Sequence, residues 1–326
     1  MSTGMRSLGK HMRVLLVNTN SKQCGIYQFG YNIGKVLTNF TSNTNEYFYE
    51  EPGNLEDFQL ALNRTKADIV VINYVPGLMS YVHNHVPCPA KIYINIIHEP
   101  GQFQHLKSSC NPYYFSHGFY ANTTLKEEPG FFPLPRLIPP LNAVEYVNKD
   151  VPKIGAFGFG FLSRGWLQTI DRVQDEFDTA DICFHMPFNS VVDLDGKTHA
   201  LNTEKLCNEK TLKPGITLKI THDFLSTSQV VEWLGQNTVN LFLYQEKNKI
   251  GISSSVDFAL SARRPIGISS SPMFDHLLDV KHLICLDSNK IQDIIDQGPN
   301  MLKPYLLKWK ESEFFLKFEN LIGRVK

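Results

Sequence analysis

Short, unbroken apolar runs that stop at polar or glycine-bearing loops constrain this chain most. RVLLVN (Arg13 to Asn18) ends at the polar segment Thr19 to Gln23. Gly25 then opens a stretch with Ile26, Phe29, Ile33 and Leu37 at helical spacing. The run recurs as DIVVINY (Asp68 to Tyr74) and KIYINIIH (Lys91 to His98), with the helical NLEDFQLALNR (Asn54 to Arg64) among them. Strands buried on both faces read as continuous apolar segments, and their alternation with helices implies parallel βαβ units. PLPRLIPP (Pro133 to Pro140) can continue neither a helix nor a central strand.

The pattern then restarts. KIGAFGF (Lys153 to Phe159) reads as a strand, and Ser163 as the cap of a helix with Trp166, Ile170, Val173 and Phe177 on one face. Further strands are expected at Ala180 to His185, Ile216 to Thr221 and Val239 to Tyr244. Pro304 to Val325 reads as one long amphipathic helix with Leu307, Phe314, Phe318 and Leu321 in register. The organisation expected is an arm at 1–11, an α/β domain at 12–150, a second at 151–303, and a helix at 304–326 packing back across them. The fold class is α/β, two Rossmann-like parallel-sheet domains facing across a cleft, where open sheets bind ligands beyond their strands' carboxyl ends.

A length of 326 residues suits two domains, and 42% hydrophobic residues suffice for their cores. Lys and Arg number 32 and Asp and Glu 32, so the net charge is zero. A polyanion binder normally carries a basic excess, which disfavours nucleic acid as the main partner. No apolar run approaches the ~20 residues of a membrane span, and Met1 to His11 has no apolar core of a signal peptide. Six scattered cysteines argue against a zinc site or a disulfide framework. A cytoplasmic protein is expected, in which the Asn-x-Thr sequons at Asn39, Asn63 and Asn122 have no role.

Four segments could carry chemistry. In YQEKNKIGISSSVDFALSARRP (Tyr244 to Pro265), Gly251 and Ile252 precede Ser253, Ser254 and Ser255 at a helix start. Free N–H groups and the helix dipole there favour a phosphate, and Asp257 one turn later could accept from vicinal hydroxyls. Serines and an early Asp also simply cap helices, and Arg263 and Arg264 suit a helix end. GAFGFGFLSRG (Gly155 to Gly165) lacks the spaced dinucleotide fingerprint, but Arg164 stands where a guanidinium could grip a diphosphate. NTNSKQCGIYQFG (Asn18 to Gly30) places Gly25 at a strand end. Its Cys24 lacks the neighbours of a nucleophile. His98 and Glu99 leave a buried strand toward the cleft, where they could bind a sugar or act as acid and base. His83-Asn84-His85 has no third metal ligand at matching spacing.

In that order, these segments resemble GT-B glycosyltransferases, most closely the family 4 group of retaining, nucleotide-sugar-dependent enzymes. The likeness rests on CGIYQFG, IIHEP, IGAFGFGFLSRGWLQTIDRV and FLSTSQVVEWLGQNTVNLFLYQEKNKIGISSSVDFALSARRPIGIS, and spans Met12 to about Ser271. The resemblance implies sugar transfer from a nucleotide diphosphate sugar, UDP- or GDP-linked, to a glycan, lipid-linked or small-molecule acceptor, with no metal or other cofactor. Catalytic roles would fall to His98 and Arg164. Donor contacts would come from Gly25, Arg164, Phe224, Leu225, Gly251 to Ser255 and Asp257, and acceptor contacts from Tyr27, Gln28 and Glu99. Three features depart from the family, one being a spacing from Asp257 to Pro265 one residue longer than typical. The first carboxylate of its Glu-x7-Glu pair is missing near Lys249 and Ile250, and Phe159 replaces an arginine. Those departures keep a non-catalytic nucleotide-sugar or glycan-binding module open, and behind it a nucleotide-sugar epimerase.

Overall fold

The computed structural model describes residues 11–85, 88–89, 91–99, 117–139, 150–190, 195–245 and 251–325. Expectations for most of the N-terminal arm, for Pro100 and for 246–250 lie outside these residues. The first lobe is a sheet of β1 (Met12–Val17), β2 (Asn45–Glu50), β3 (Ile69–Ile72), β4 (Ile92–Ile97), β5 (His117–Tyr120) and β6 (Phe131–Pro133), with α1 (Gly25–Asn39) and α2 (Leu55–Thr65). Its order is β2-β1-β3-β4-β5-β6 and every pairing is parallel. Along β1, Val14 and Leu16 pack with Ile33 of α1, while Leu15 and Val17 pack with Phe58 of α2. Both faces are therefore covered, which is why the strand reads as a continuous apolar run.

The second lobe orders its strands β11-β10-β7-β8-β9, again all parallel. These are β7 (Lys153–Phe157), β8 (Ala180–His185), β9 (Ile216–Thr221), β10 (Val239–Phe242) and β11 (Ile266–Ile268). Around them lie α3 (Trp166–Glu176), α4 (Thr198–Asn208), α5 (Thr227–Gly235), α6 (Ser255–Ser261), α7 (Leu278–Ile284) and α8 (Ile291–Gln297). The sequence reading missed β2, β5, β6 and β11. Ser163 is not the cap of α3: it lies in a single 3-10 turn, Leu162–Arg164, and its carbonyl accepts from the Gln245 N–H at 2.7 Å. Gly165 starts the helix at φ 77, where a Cβ would lie 2.6 Å from the Leu243 carbonyl carbon.

The C-terminal segment is two helices, α9 (Lys303–Lys308) and α10 (Glu311–Arg324), not one. The break frees the Trp309 carbonyl to accept from Ile138 N–H at 3.1 Å, tying the helix pair to the interlobe connection. Tyr305 and Trp309 join the core of the second lobe, whereas Phe314, Phe318 and Leu321 join that of the first. Leu307 is 66% exposed, so its expected place in the buried stripe is lost with the register.

Candidate functional site

The carboxyl ends of the two sheets point into one shared cavity of about 210 Å³. The first lobe lines it with Lys22, Gln23, Cys24, Gly25 and Gln28 around the start of α1, and with Glu99 beyond β4. The second lobe contributes Gly158, Phe159 and Arg164 after β7, Pro187 and Phe188 after β8, and Phe224 and Leu225 after β9. Tyr244 and Ile252 to Ser255 complete that wall. The lobes touch across it: Asn189 Nδ2 donates to the Gln23 carbonyl at 2.6 Å, and Thr227 Oγ1 to Gln28 Oε1 at 2.9 Å. A Cβ on Gly25 would lie 3.8 Å from Ser254 Oγ, so these two expected donor loops face each other.

Positive potential collects at this seam. Cys24 is the N-cap of α1, and no acid occupies the first turn. The dipole of a 15-residue helix and its Gly25 amide thus face the cavity, while the Ile26 and Tyr27 amides lie on the Cys24 sulfur. Opposite, the Arg164 guanidinium lies 4.1 Å from the centre of the Tyr244 ring and 3.7 Å from Met273 Sδ. Glu99 is the only carboxylate among the described residues lining the cavity. Burial raises its pKa and the Arg164 charge opposes that rise. The Cys24 thiol is pushed up by burial, the reverse of what a nucleophile needs.

Several expected residues stand elsewhere. Asp257 does not line this cavity: it is buried in an ion pair with Arg136 of the interlobe connection, and its Oδ1 has no partner among the described residues. Burial pushes its carboxyl up to about 6, against the pull of Arg136. The Ser253 amide donates to the Met273 carbonyl at 3.1 Å and its hydroxyl to Tyr244 Oη at 3.1 Å. Any anion cradle there falls to Ser254 and Ser255. Tyr27 is buried with its hydroxyl on Glu51 at 3.0 Å, outside the cavity lining. Gly251 packs against the end of β4, where a Cβ would lie 3.3 Å from the His98 carbonyl.

His98 itself sits behind Glu99. Its Nε2 is 2.7 Å from Asn73 Oδ1 and its ring meets Phe29 edge-on at 5.2 Å. Burial, with the Arg136 charge, holds its pKa down to about 3, so it is neutral. Sequence reasoning missed His185, Pro187 and Phe188, which follow from reading the carboxyl end of every strand, not only those ending in glycine. His185 stacks on Phe157 at 5.8 Å, and Phe188 on His222 at 4.6 Å, beside the 48% exposed Phe224. This wall offers apolar and aromatic surface for a planar ring.

Comparison with solved structures agrees with this plan. The Candida albicans trehalose-6-phosphate phosphatase N-terminal domain superposes with a TM-score of 0.63 at 10% identity, covering 98% of each chain. The alpha,alpha-trehalose-phosphate synthase (UDP-forming) of Burkholderia vietnamiensis gives 0.61 at 7% identity over 97% of each. Anabaena HepE, solved with UDP-glucose, gives 0.55 at 8% identity over 96% of this chain and 100% of that one. The fold is GT-B. No protein-family model matches the sequence, and no curated protein matches it. Among the described residues, no group of three or more His, Cys, Asp or Glu could hold a metal, and no helix is long and apolar enough to cross a membrane.

Proposed function

We propose that this chain is a glycosyltransferase that moves a sugar from a UDP- or GDP-linked donor to an acceptor hydroxyl, with retention, without a metal, and in the cytoplasm. The observation that carries the reading is the shared cavity, with the start of α1 and its dipole on one wall and Arg164 on the other. A diphosphate there would meet Arg164, Lys22 and the amide of Gly25, while Phe188, Phe224 and Leu225 receive the base. Charge grows on the leaving phosphate in the transition state, so fixed donors aimed at it accelerate transfer. Glu99 and Gln28 would face the acceptor. HepE was solved with UDP-glucose and the trehalose-phosphate synthase is UDP-forming, which supports a uridine donor. The test is a thermal-shift screen against uridine, guanosine and adenosine diphosphates and their sugars, followed by product analysis with and without EDTA. Absence of any nucleotide-induced shift would sink it; EDTA sensitivity or an inverted anomer would correct it.

A second reading, a nucleotide-sugar or glycan-binding module without transfer, is favoured by one observation. The carboxylate assigned to the donor ribose, Asp257, is committed to Arg136 instead. Calorimetric binding with neither transfer nor donor hydrolysis would select this reading.

A further inference from the structure

Asn18 and Asn73 are fully buried, and they join His98 to Glu51 through one chain of hydrogen bonds. Backbone carbonyls fix which way each amide points. Asn73 Nδ2 donates to the Ile26 carbonyl and to Asn18 Oδ1, both at 2.8 Å, so Asn73 Oδ1 is the atom facing His98. An amide oxygen only accepts, hence His98 Nε2 carries the proton in the 2.7 Å contact. Asn18 Nδ2 in turn donates to the Tyr27 carbonyl at 3.0 Å and to Tyr49 Oη at 2.9 Å. The Tyr49 hydroxyl donates to Glu51 Oε1 at 2.6 Å, where the Tyr27 hydroxyl also ends. One set of donor and acceptor roles satisfies every link, and the chain terminates on a carboxylate.

Helix α1 is shaped for this chain. A Cβ on Gly30 would lie 2.5 Å from Asn18 Oδ1, and one on Gly34 would lie 2.5 Å from Tyr49 Cε2. The helix whose first turn faces the cavity therefore also leaves room for the network.

We propose that Asn73 is a positioning residue that holds His98 in the Nε2–H tautomer, leaving Nδ1 able only to accept. Any group bonded at Nδ1 must then be a donor, which suits a hydroxyl and rejects a carboxylate or phosphate oxygen. The expected effect on transfer rests on the glycosyl-transfer reading; the tautomer does not. His98 in this state supplies no proton to a leaving group.

Nitrogen-detected NMR of the full chain labelled at histidine tests this, with His98 assigned by the signal lost in His98→Gln. Between pH 7.5 and 5.5, Nε2 should show the shift of a proton-bearing nitrogen and Nδ1 that of a lone-pair nitrogen. An Nδ1–H signature, or an imidazolium in that range, overturns the proposal. Asn73→Asp puts a carboxylate against the ring, with Arg136 the opposing charge nearby, and should raise the His98 titration by at least one pH unit. In the same variant, nucleotide diphosphate affinity should hold within twofold while transfer falls at least tenfold. A folded Asn73→Asp protein with an unmoved titration also overturns it, and if that variant does not fold the wild-type spectrum decides alone. Wild-type protein showing the Nε2–H spectrum but no transfer would refute the reaction and leave the positioning intact.

Discussion

Arg164 serves packing and charge at once, and the two uses separate on substitution. Its place over Tyr244 contributes about 0.5–1 kcal/mol at a partly exposed site, so Arg164→Ala should melt close to wild type. If the guanidinium meets the leaving diphosphate, turnover should fall ~10²–10³-fold. Purified variant with unchanged turnover removes Arg164 from the mechanism. Asp257 gives the contrasting case. Removing it strands Arg136, which is 3% exposed, and breaking a buried pair this way costs about 3–5 kcal/mol. Asp257→Ala should therefore lower the denaturant midpoint sharply, whereas a ribose contact would spare stability and weaken nucleotide binding. The sequence marks Asp257 well, one turn into a helix behind glycine and serines. What it hides is a partner 121 residues earlier in a proline-rich connection, because pairing over that distance is decided by how the lobes close. Gly25, Arg164 and Ser254 were legible for the opposite reason: each belongs to a local strand-to-helix turn, whose geometry short sequence encodes.

Helix α1 shows how an element can accept a local cost. Two glycines in a helix interior each give up about 0.8–1 kcal/mol relative to alanine, yet alanine at Gly30 or Gly34 would drive a methyl into Asn18 and Asn73 or into Tyr49. Overpacking of this kind costs about 1–3 kcal/mol, so Gly30→Ala and Gly34→Ala should both destabilise despite better helix propensity. Gly323 near the end of α10 has nothing within 4 Å of its Cβ position, and Gly323→Ala should stabilise by about 0.4–1 kcal/mol. Chemical denaturation of the three variants checks the signs. If Gly30→Ala raises the midpoint, the packing of the asparagine pair against α1 is wrong. Elements themselves were legible where burial was complete on both faces, as in β1, β3 and β8. β2 escaped because NEYFYE is mostly half-exposed at the sheet edge, and β6 and β11 because three residues carry no period. The split between α9 and α10 escaped because both halves are amphipathic, each toward a different core.

At the scale of the whole molecule, buried neutral histidines sit in both lobes and at the seam, and they predict how acid unfolds the protein. Burial lowers the pKa of His98 to about 3 in the first lobe and of His185 to about 4 in the second. His276 is lowered well below its ordinary value by burial, with Arg136 adding to it; the ring stacks on Trp309 at the interlobe crossing and neither nitrogen has a hydrogen-bond partner among the described residues. Unfolded histidine titrates near 6.5. Below that pH the unfolded chain binds three protons that the native state refuses, so stability falls as pH falls. Asp257 acts in the other direction. Its native value of about 6 exceeds the ordinary 3.8, so between those values the native state holds a proton the unfolded chain has lost. His85 and His117, also lowered by burial, add to the three, while Glu99, raised by burial, opposes together with Asp257. The histidines outnumber the carboxyls, and at about 1.4 kcal/mol per proton per pH unit stability should drop by on the order of a few kcal/mol from pH 6 to pH 5. The melting temperature should therefore fall by several degrees over that unit and stay nearly level from pH 7.5 to 7. His276→Phe, which keeps an aromatic ring against Trp309, removes one of the three protons and should flatten the slope by about 1.4 kcal/mol per unit. A melting temperature that does not change between pH 6.5 and 5 would mean these imidazoles reach water, and the tight closure of the lobes around them would have to be given up.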